Sequence, residues 1–367
     1  MPKILVDRHT ETHEAPFQAT LQIRPTARVD LIDVRGKLRD EFGSEFTRYP
    51  KAFYISDHTT AGYLDQRLAK ALDHDSSNIQ DYLEVFRKLF PAGADYTHDK
   101  LHLRTELSEE QRAVEPLNAD SHLAFMGSGM RSATSYELHG DEPVWFVELD
   151  GVHVGGTRYR RTTVVAYNGE EDVAQSQVQV PASSHSIDAQ NLRDPQLGLI
   201  AQLEKLARKH QVSFGRFDVS LAMEENEAGL TVNEYETLLM AHDLRDVLKN
   251  PLRFVAQIGK EALQAPRAIP AKALNYAQYD AVQVFNRLMD QIGARRSFVE
   301  RVVNRALALP VSHFLRMKRG ISLPVLDRKG TGAGEIGWGV YQSPILVQWK
   351  GASASTRTLN VRLVRFV

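Results

Sequence analysis

Residues 20–23 alternate apolar and polar side chains with the period of a half-buried strand, and 29–34 form a second apolar run. A helical spacing follows at 37–42. The segment 51–56 (KAFYIS) is short, aromatic and β-branched, and turn-friendly residues bound it, which predicts a buried strand. Residues 64–90 keep a helical spacing with few breakers and predict one long helix. The stretch 101–118 is charged and irregular, and 121–126 opens a new segment. Strands are predicted at 144–147 and 162–167, around a Gly-containing turn at 150–157. A polar stretch at 168–173 (NGEEDV) reads as a linker. Beyond it, strands are predicted at 175–180, 216–223, 321–326, 339–349 and 358–367. Helices are predicted at 197–210, 234–265 and 279–307, the last two separated by Pro266 and Pro270. Strands before and after helices in each half predict an α+β fold rather than a doubly wound sheet.

Short strings recur in the same order in both halves. His58-Thr59-Thr60-Ala61-Gly62-Tyr63 follows a strand, and so does Glu225-Asn226-Glu227-Ala228-Gly229-Leu230. Ser121-His122-Leu123 has a counterpart in Ser312-His313-Phe314, Trp145 in Trp338, and Arg160-Arg161 in Arg357. Matches in register predict a tandem repeat, with one domain over 15–170 and a diverged copy with a helical insertion over 173–367.

Composition narrows the function classes. The length, 367 residues, fits two domains at roughly 150 residues each. Forty-five basic side chains oppose forty-six acidic ones, for a net charge of −1. Nucleic acid is therefore not an expected partner. No run approaches the roughly 20 apolar residues that span a bilayer. A membrane partner is not expected either, and a cytoplasmic protein is. The chain has no cysteine. That excludes a disulfide framework, a thiolate zinc site and a cysteine nucleophile, so any metal must rest on His, Asp, Glu or carbonyl oxygens.

Among the thirteen histidines, His58, His98 and His122 draw notice. His58 stands at a strand end, His98 lies in Tyr96-Thr97-His98-Asp99, and His122 lies in Asn118-Ala119-Asp120-Ser121-His122. Three neutral imidazoles with one open position make a catalytic zinc-type site, whose bound water becomes more acidic. Surface or satisfied core histidines are the plain alternative. Asp57 and Asp99 could orient the neighbouring ring N–H groups or simply be solvated. Glu148 ends a strand, as a general base or as a solvated strand end. Arg158, Arg160 and Arg161 could bind phosphate by paired N–H donors or guard an edge strand.

At these residues the chain resembles the YjbQ-like family, described as secondary thiamine-phosphate synthases. The family pattern runs His-Thr-Thr-Ala-Gly, Tyr-x-His-Asp, Asn-x-x-x-His, then Glu-x-Asp-Gly followed by arginines. This chain has His58-Thr59-Thr60-Ala61-Gly62, Tyr96-Thr97-His98-Asp99, Asn118 to His122, and Glu148-Leu149-Asp150-Gly151 with Arg158 and Arg160. The resemblance implies that the three histidines converge and that the fold is α+β, often assembled as a trimer. The second half is similar in Ala228-Gly229-Leu230-Thr231-Val232-Asn233-Glu234, but Glu225 stands in the histidine position. The first half departs at the Asn-Glu pair, where it has Gln66-Arg67. Two accounts fit this split. The site lies wholly in repeat one, the reading favoured because repeat two keeps only His313 of the three motif histidines. Alternatively it forms between repeats, with the histidines facing Asn233 and Glu234.

The resemblance implies a metal-dependent enzyme acting on a small phosphorylated or anionic metabolite, either a thiamine-phosphate synthase-like transferase or a hydrolase. His58, His98 and His122 would hold a divalent metal, zinc by first choice. Glu148 would act as base, and Arg158 and Arg160 would bind phosphate. A homo-oligomer, a trimer by family likeness, is expected. The rival reading is a non-catalytic metal- or ligand-binding scaffold.

Overall fold

The computed structural model describes residues 15–104, 107–153, 156–183, 185, 188–235, 242–243, 246–247, 318–328, 330, 332–350 and 354–367. The helices expected over 234–265 and 279–307, save 234–235, 242–243 and 246–247, lie outside the described residues, as does His313.

The first half carries β1 (Phe17–Ile23), β2 (Asp30–Asp33), β3 (Lys51–Ser56), β4 (Ala61–Gly62), β5 (Ala133–Glu137), β6 (Trp145–Glu148), β7 (Val152–His153), β8 (Gly156–Thr157) and β9 (Arg160–Tyr167). Its helices are α1 (Val34–Phe42), α2 (Ser44–Thr47), α3 (Gln66–Ala71), α4 (Ser76–Leu89), α5 (Glu109–Val114) and α6 (Ala119–Gly127). The second half carries β10 (Glu170–Pro181), β11 (Asp188–Asn191), α7 (Leu199–Lys209), β12 (Phe214–Leu221), β13 (Ala228–Asn233), β14 (Gly320–Leu326), β15 (Glu335–Ile336), β16 (Ser343–Gln348) and β17 (Thr356–Phe366). Helices and sheets are mixed in both halves, as the α+β expectation has it.

The two halves share a strand order. The larger sheets run β1-β9-β3-β5 and β10-β17-β12-β14, the latter extended by β15. The smaller ones run β2-β6-β4 and β11-β16-β13. Register agrees residue by residue. Ala61 pairs with Glu148 and Ala228 with Gln348, while Asp30 pairs with Glu148 and Asp188 with Gln348. A lone bridge Tyr63–Arg131 recurs as Leu230–Lys318. This register corrects one proposed match: Trp145 corresponds to Ile345, not to Trp338.

Three local expectations change. The helix over 64–90 is two helices, because Asp65 and Asp75 each accept an N–H from three residues on and start a new helix. Between them Asp73 and His74 take left-handed conformations with φ 56° and 52°. The linker shrinks to Asn168-Gly169, since β10 begins at Glu170. Among the described residues β10 is an edge strand paired with β17, and its acidic first residues hid where the strand predicted at 175–180 begins. β5 (ATSYE) was not foreseen, because its short polar-interrupted run lacks an apolar signature.

Each half has its own apolar core. A third cluster joins the large sheets: Phe53, Ile55, Val165 and Tyr167 pack against Leu326, Val364 and Phe366. The Tyr167 and Phe366 rings stack with centroids 4.1 Å apart. Arg216 lies over the Phe53 and Phe366 rings and holds both Glu170 oxygens at 2.8 Å. That ion pair lies within the second sheet, and Arg216 reaches the first through the Phe53 ring and through Ser135 Oγ at 3.1 Å. The loop before β16 closes on the first half. Gln342 Nε2 donates to the Ser56 and His58 carbonyls at 2.9 and 2.8 Å. Gly339 lies so close to the Asp57 carbonyl that any Cβ there would overlap it.

Candidate metal centre

Four short segments meet where the first half faces the end of β13. The helix α6 is buried along its whole length. Asp99 accepts the Ala119 N–H at 3.0 Å and so caps its first turn. His122 sits one turn inside, its N–H bonded to the Asn118 carbonyl at 3.2 Å. His98 lies in the loop ahead, where Asp243 of the second half accepts the backbone N–H groups of Thr97 and His98, both at 2.8 Å. Asn233 ends β13 and Glu234 follows it.

The hydrogen bonds set the tautomers. Asn233 Oδ1 accepts the Glu234 N–H at 2.8 Å, and its Nδ2 donates to the Thr59 carbonyl at 3.2 Å. Its orientation is therefore fixed, and the 2.7 Å contact with His122 Nδ1 requires Nδ1 to carry hydrogen. His98 Nδ1 lies 3.0 Å from Asp99 Oδ1, an acceptor that also takes the Ala119 N–H. That ring too donates from Nδ1. In the neutral state each Nε2 is then a bare lone pair.

These lone pairs converge. His98 and His122 are each 1% exposed, with ring centroids 5.2 Å apart. His98 Nε2 is buried without a hydrogen-bond partner among the described residues. His122 Nε2 lies 3.4 Å from Glu234 Oε2. One donor atom from each of His98, His122 and Glu234 falls within 4.8 Å of the others. Three acceptors facing one another form a set that a cation between them would satisfy. Burial, the largest influence, disfavours a proton on His122; Glu234 opposes that and His98 adds to it. Two Nε2 imidazoles and a carboxylate, each His holding its Nδ1–H on an oxygen, are a fitting donor set for a divalent ion such as zinc. Asp99, Asp120 and Asp150 deepen the negative surroundings; burial pushes Asp120 up to about 6 despite its Arg28 partner. Arg104 stands 3.6 Å from the other Glu234 oxygen and bonds Glu115.

The other expected site residues lie elsewhere in the network. His58 is not part of the cluster. Its Nε2 accepts the Arg161 N–H at 2.8 Å. Burial and the neighbouring Arg160, Arg161 and Arg158 hold its pKa down to about 3, so it is a neutral ring. Asp57 does not orient His58; it holds Arg161. Glu148 is fully buried. Its Oε2 takes Arg160 Nε, and its Oε1 takes Arg160 at 2.8 Å and the Asp150 N–H at 2.7 Å. Arg160 also bonds Thr60 Oγ1 and the Asp150 carbonyl. Glu148 has no free face for substrate, while Arg160 has Nε and Nη2 committed. Arg158 is different: 28% of its side chain is exposed, and its contact with Asp150 is 3.4 Å.

The reading confined to repeat one is thereby corrected. Asn233 and Glu234 of the second half stand on His122, where the split of motif parts pointed. Asp243 was missed, because it falls within an expected helix and carries no motif.

No protein-family model and no curated protein matches the chain. Solved structures do. The chain is similar to a YbjQ-like protein of unknown function from Sulfolobus solfataricus P2, at 14% identity and a TM-score of 0.28, over 54% of this chain and 99% of that one. It is also similar to a hypothetical protein from Aeropyrum pernix K1, at 17% identity and a TM-score of 0.29, over 42% and 99%. An uncharacterised conserved protein of the YjbQ family from Clostridium acetobutylicum aligns at 13% identity and a TM-score of 0.23, over 53% and 100%.

Proposed function

We propose that the chain binds one divalent metal ion, zinc by first choice, through His98, His122 and Glu234, and acts with it on a small phosphorylated or otherwise anionic metabolite. The observation that carries this reading is the convergence of three acceptor atoms, two of them forced bare by their own Nδ1–H bonds. Three protein ligands leave a position open for water or a substrate oxygen. A bound divalent ion there supplies Lewis-acid stabilisation of a phosphoryl or pyrophosphate oxygen. Arg158 is the more exposed guanidinium available to hold the anion, since Glu148 occupies Nε and Nη2 of Arg160. Glu148 neutralises Arg160 rather than serving as base. A transferase of the thiamine-phosphate synthase kind and a hydrolase both draw on these groups. The recurring strand order and register support reading the chain as two copies of one domain, 15–170 and 173–367, with the centre assembled across them. Assembly as a homotrimer belongs to this reading.

A non-catalytic metal-binding scaffold is the second reading, favoured by the burial of Glu148 against Arg160. Metal content of the purified chain, beside a His98→Ala, His122→Ala double variant, tests the proposal. The expected result is close to one equivalent per chain, lost in the double variant, with phosphoester or pyrophosphate turnover only when metal is present. Metal without turnover supports the scaffold. No uptake of added zinc overturns the metal reading.

Among the described residues, no helix is long and apolar enough to cross a membrane.

A further inference from the structure

We infer that Asn233 is the positioning residue of this centre: from the second half, it selects the tautomer of His122 and sets where Glu234 stands. The inference rests on the metal reading above and adds a role to a side chain that touches no ion. One oxygen, Asn233 Oδ1, receives both the His122 Nδ1–H at 2.7 Å and the Glu234 N–H at 2.8 Å. It thus links the ring of one ligand to the backbone of another. The amide cannot turn over, because Nδ2 is committed to the Thr59 carbonyl at 3.2 Å. A flipped amide would also present N–H groups to two other donors.

The consequence is specific. With the acceptor in place, His122 offers Nε2 to the shared space. Without it, the ring is free to carry its hydrogen on Nε2 and aim it at Glu234 Oε2, 3.4 Å away. That arrangement satisfies the carboxylate internally and closes the centre to an ion. Asp99 does the same for His98, but from the same half and the adjacent position. Only for His122 does the selecting oxygen come from the other repeat. Here the first repeat has Gln66, whose side chain instead bonds the backbone of Glu137. Competence of the first-half histidine therefore depends on the second half being docked.

The test uses the full chain with Zn2+ and Co2+ as probes. Asn233→Leu removes both the acceptor and the Thr59 bond. Asn233→Asp keeps the acceptor, replaces the Thr59 bond by a contact between two acceptors and adds a negative charge. Zn2+ affinity is measured against a competing chelator, the visible absorption of the Co2+ form is recorded, and melting of the metal-free chain monitors folding. Removing an oxygen that orients a metal-bound histidine typically weakens affinity about 10–100-fold. That loss is expected for Asn233→Leu, with an altered Co2+ spectrum. Asn233→Asp is expected to bind within about threefold of the wild type, with an unchanged spectrum. A merely structural role predicts that both variants lower the melting point alike and bind metal alike. That result overturns the inference, as does a tenfold loss in Asn233→Asp, which decides the matter even if Asn233→Leu does not fold. A His122→Ala control separates the two levels. Wild-type binding lost in His122→Ala but kept in Asn233→Leu sinks only the positioning role. No binding by the wild type sinks the metal reading and this role together.

Discussion

The buried arginines of the two halves sit in the same place and are neutralised from different directions. In the first half Arg160 is held by Glu148, at the end of β6. In the second half Arg357 donates to Gln348, at the matching end of β16, and its carboxylate partner is Glu225. Glu225 occupies the place of His58. The backbone N–H of Thr358 bonds Glu225 as that of Arg161 bonds His58. Each locus keeps one arginine and one carboxylate, but the carboxylate has moved across the site and the histidine is gone. The fold needs a neutralised guanidinium here and is indifferent to which strand neutralises it. Glu148, motif-like in sequence, is one solution to a structural requirement. The proposed metal ligands, His98, His122 and Glu234, lie elsewhere.

The largest expected effect breaks that equivalence. Glu148→Ala strands Arg160 without a counter-charge and should cost about 3–5 kcal/mol in denaturant unfolding. Glu148→Gln alone should cost nearly as much. Adding His58→Glu to it rebuilds the second-half arrangement inside the first half. The double variant is expected to regain most of the lost stability, and if it is no better than Glu148→Gln the two loci are not interchangeable. Phe366→Ala, at the joint between the sheets, should cost about 3–5 kcal/mol through the lost ring and the cavity it leaves. If the loss is below 1 kcal/mol, the apolar joint does not hold the halves together.

A smaller effect separates His58 from Glu225 by pH. His58 has a folded pKa of about 3 against an ordinary 6.5, so the unfolded chain binds more protons between those values. Its stabilising contribution is complete above pH 6.5 and is lost as pH falls toward 3. His58→Gln should flatten the stability profile in that window only, as followed by melting temperature. The smallest effect is on the metal. His58→Gln should change Zn2+ affinity by no more than about threefold, since the ring shares no partner with the cluster. A loss matching that of His122→Ala would return His58 to the ligand set.

Much of this was legible along the chain. β3 coincides with its predicted span, and the shared strings located the two arginine loci and the Glu225 substitution. His98 was visible beside Asp99, and His122 in the Asn118-x-x-x-His122 string. What was not legible has physical causes. The acidic start of β10 resembles a linker. Asp65 and Asp75 restart a helix whose spacing looks continuous. The saturation of Glu148 depends on where Arg160 lands after folding. Glu234 becomes a neighbour of His122 only through strand pairing across more than a hundred residues, which no local pattern records.

Three carbonyls in one short stretch, those of Ser56, His58 and Thr59, are all claimed by amide side chains of the second half, Gln342 and Asn233. During synthesis the first half therefore leaves the ribosome with these groups bare and its histidines without Asn233 or Glu234. At about 5–20 residues per second, the arrival of Gln342 trails that of Asn233 by on the order of ten seconds. A nascent chain halted between the two would hold every ligand of the centre while lacking the clasp that seats it. Completion of the proposed metal centre is thereby deferred to a nearly finished polypeptide.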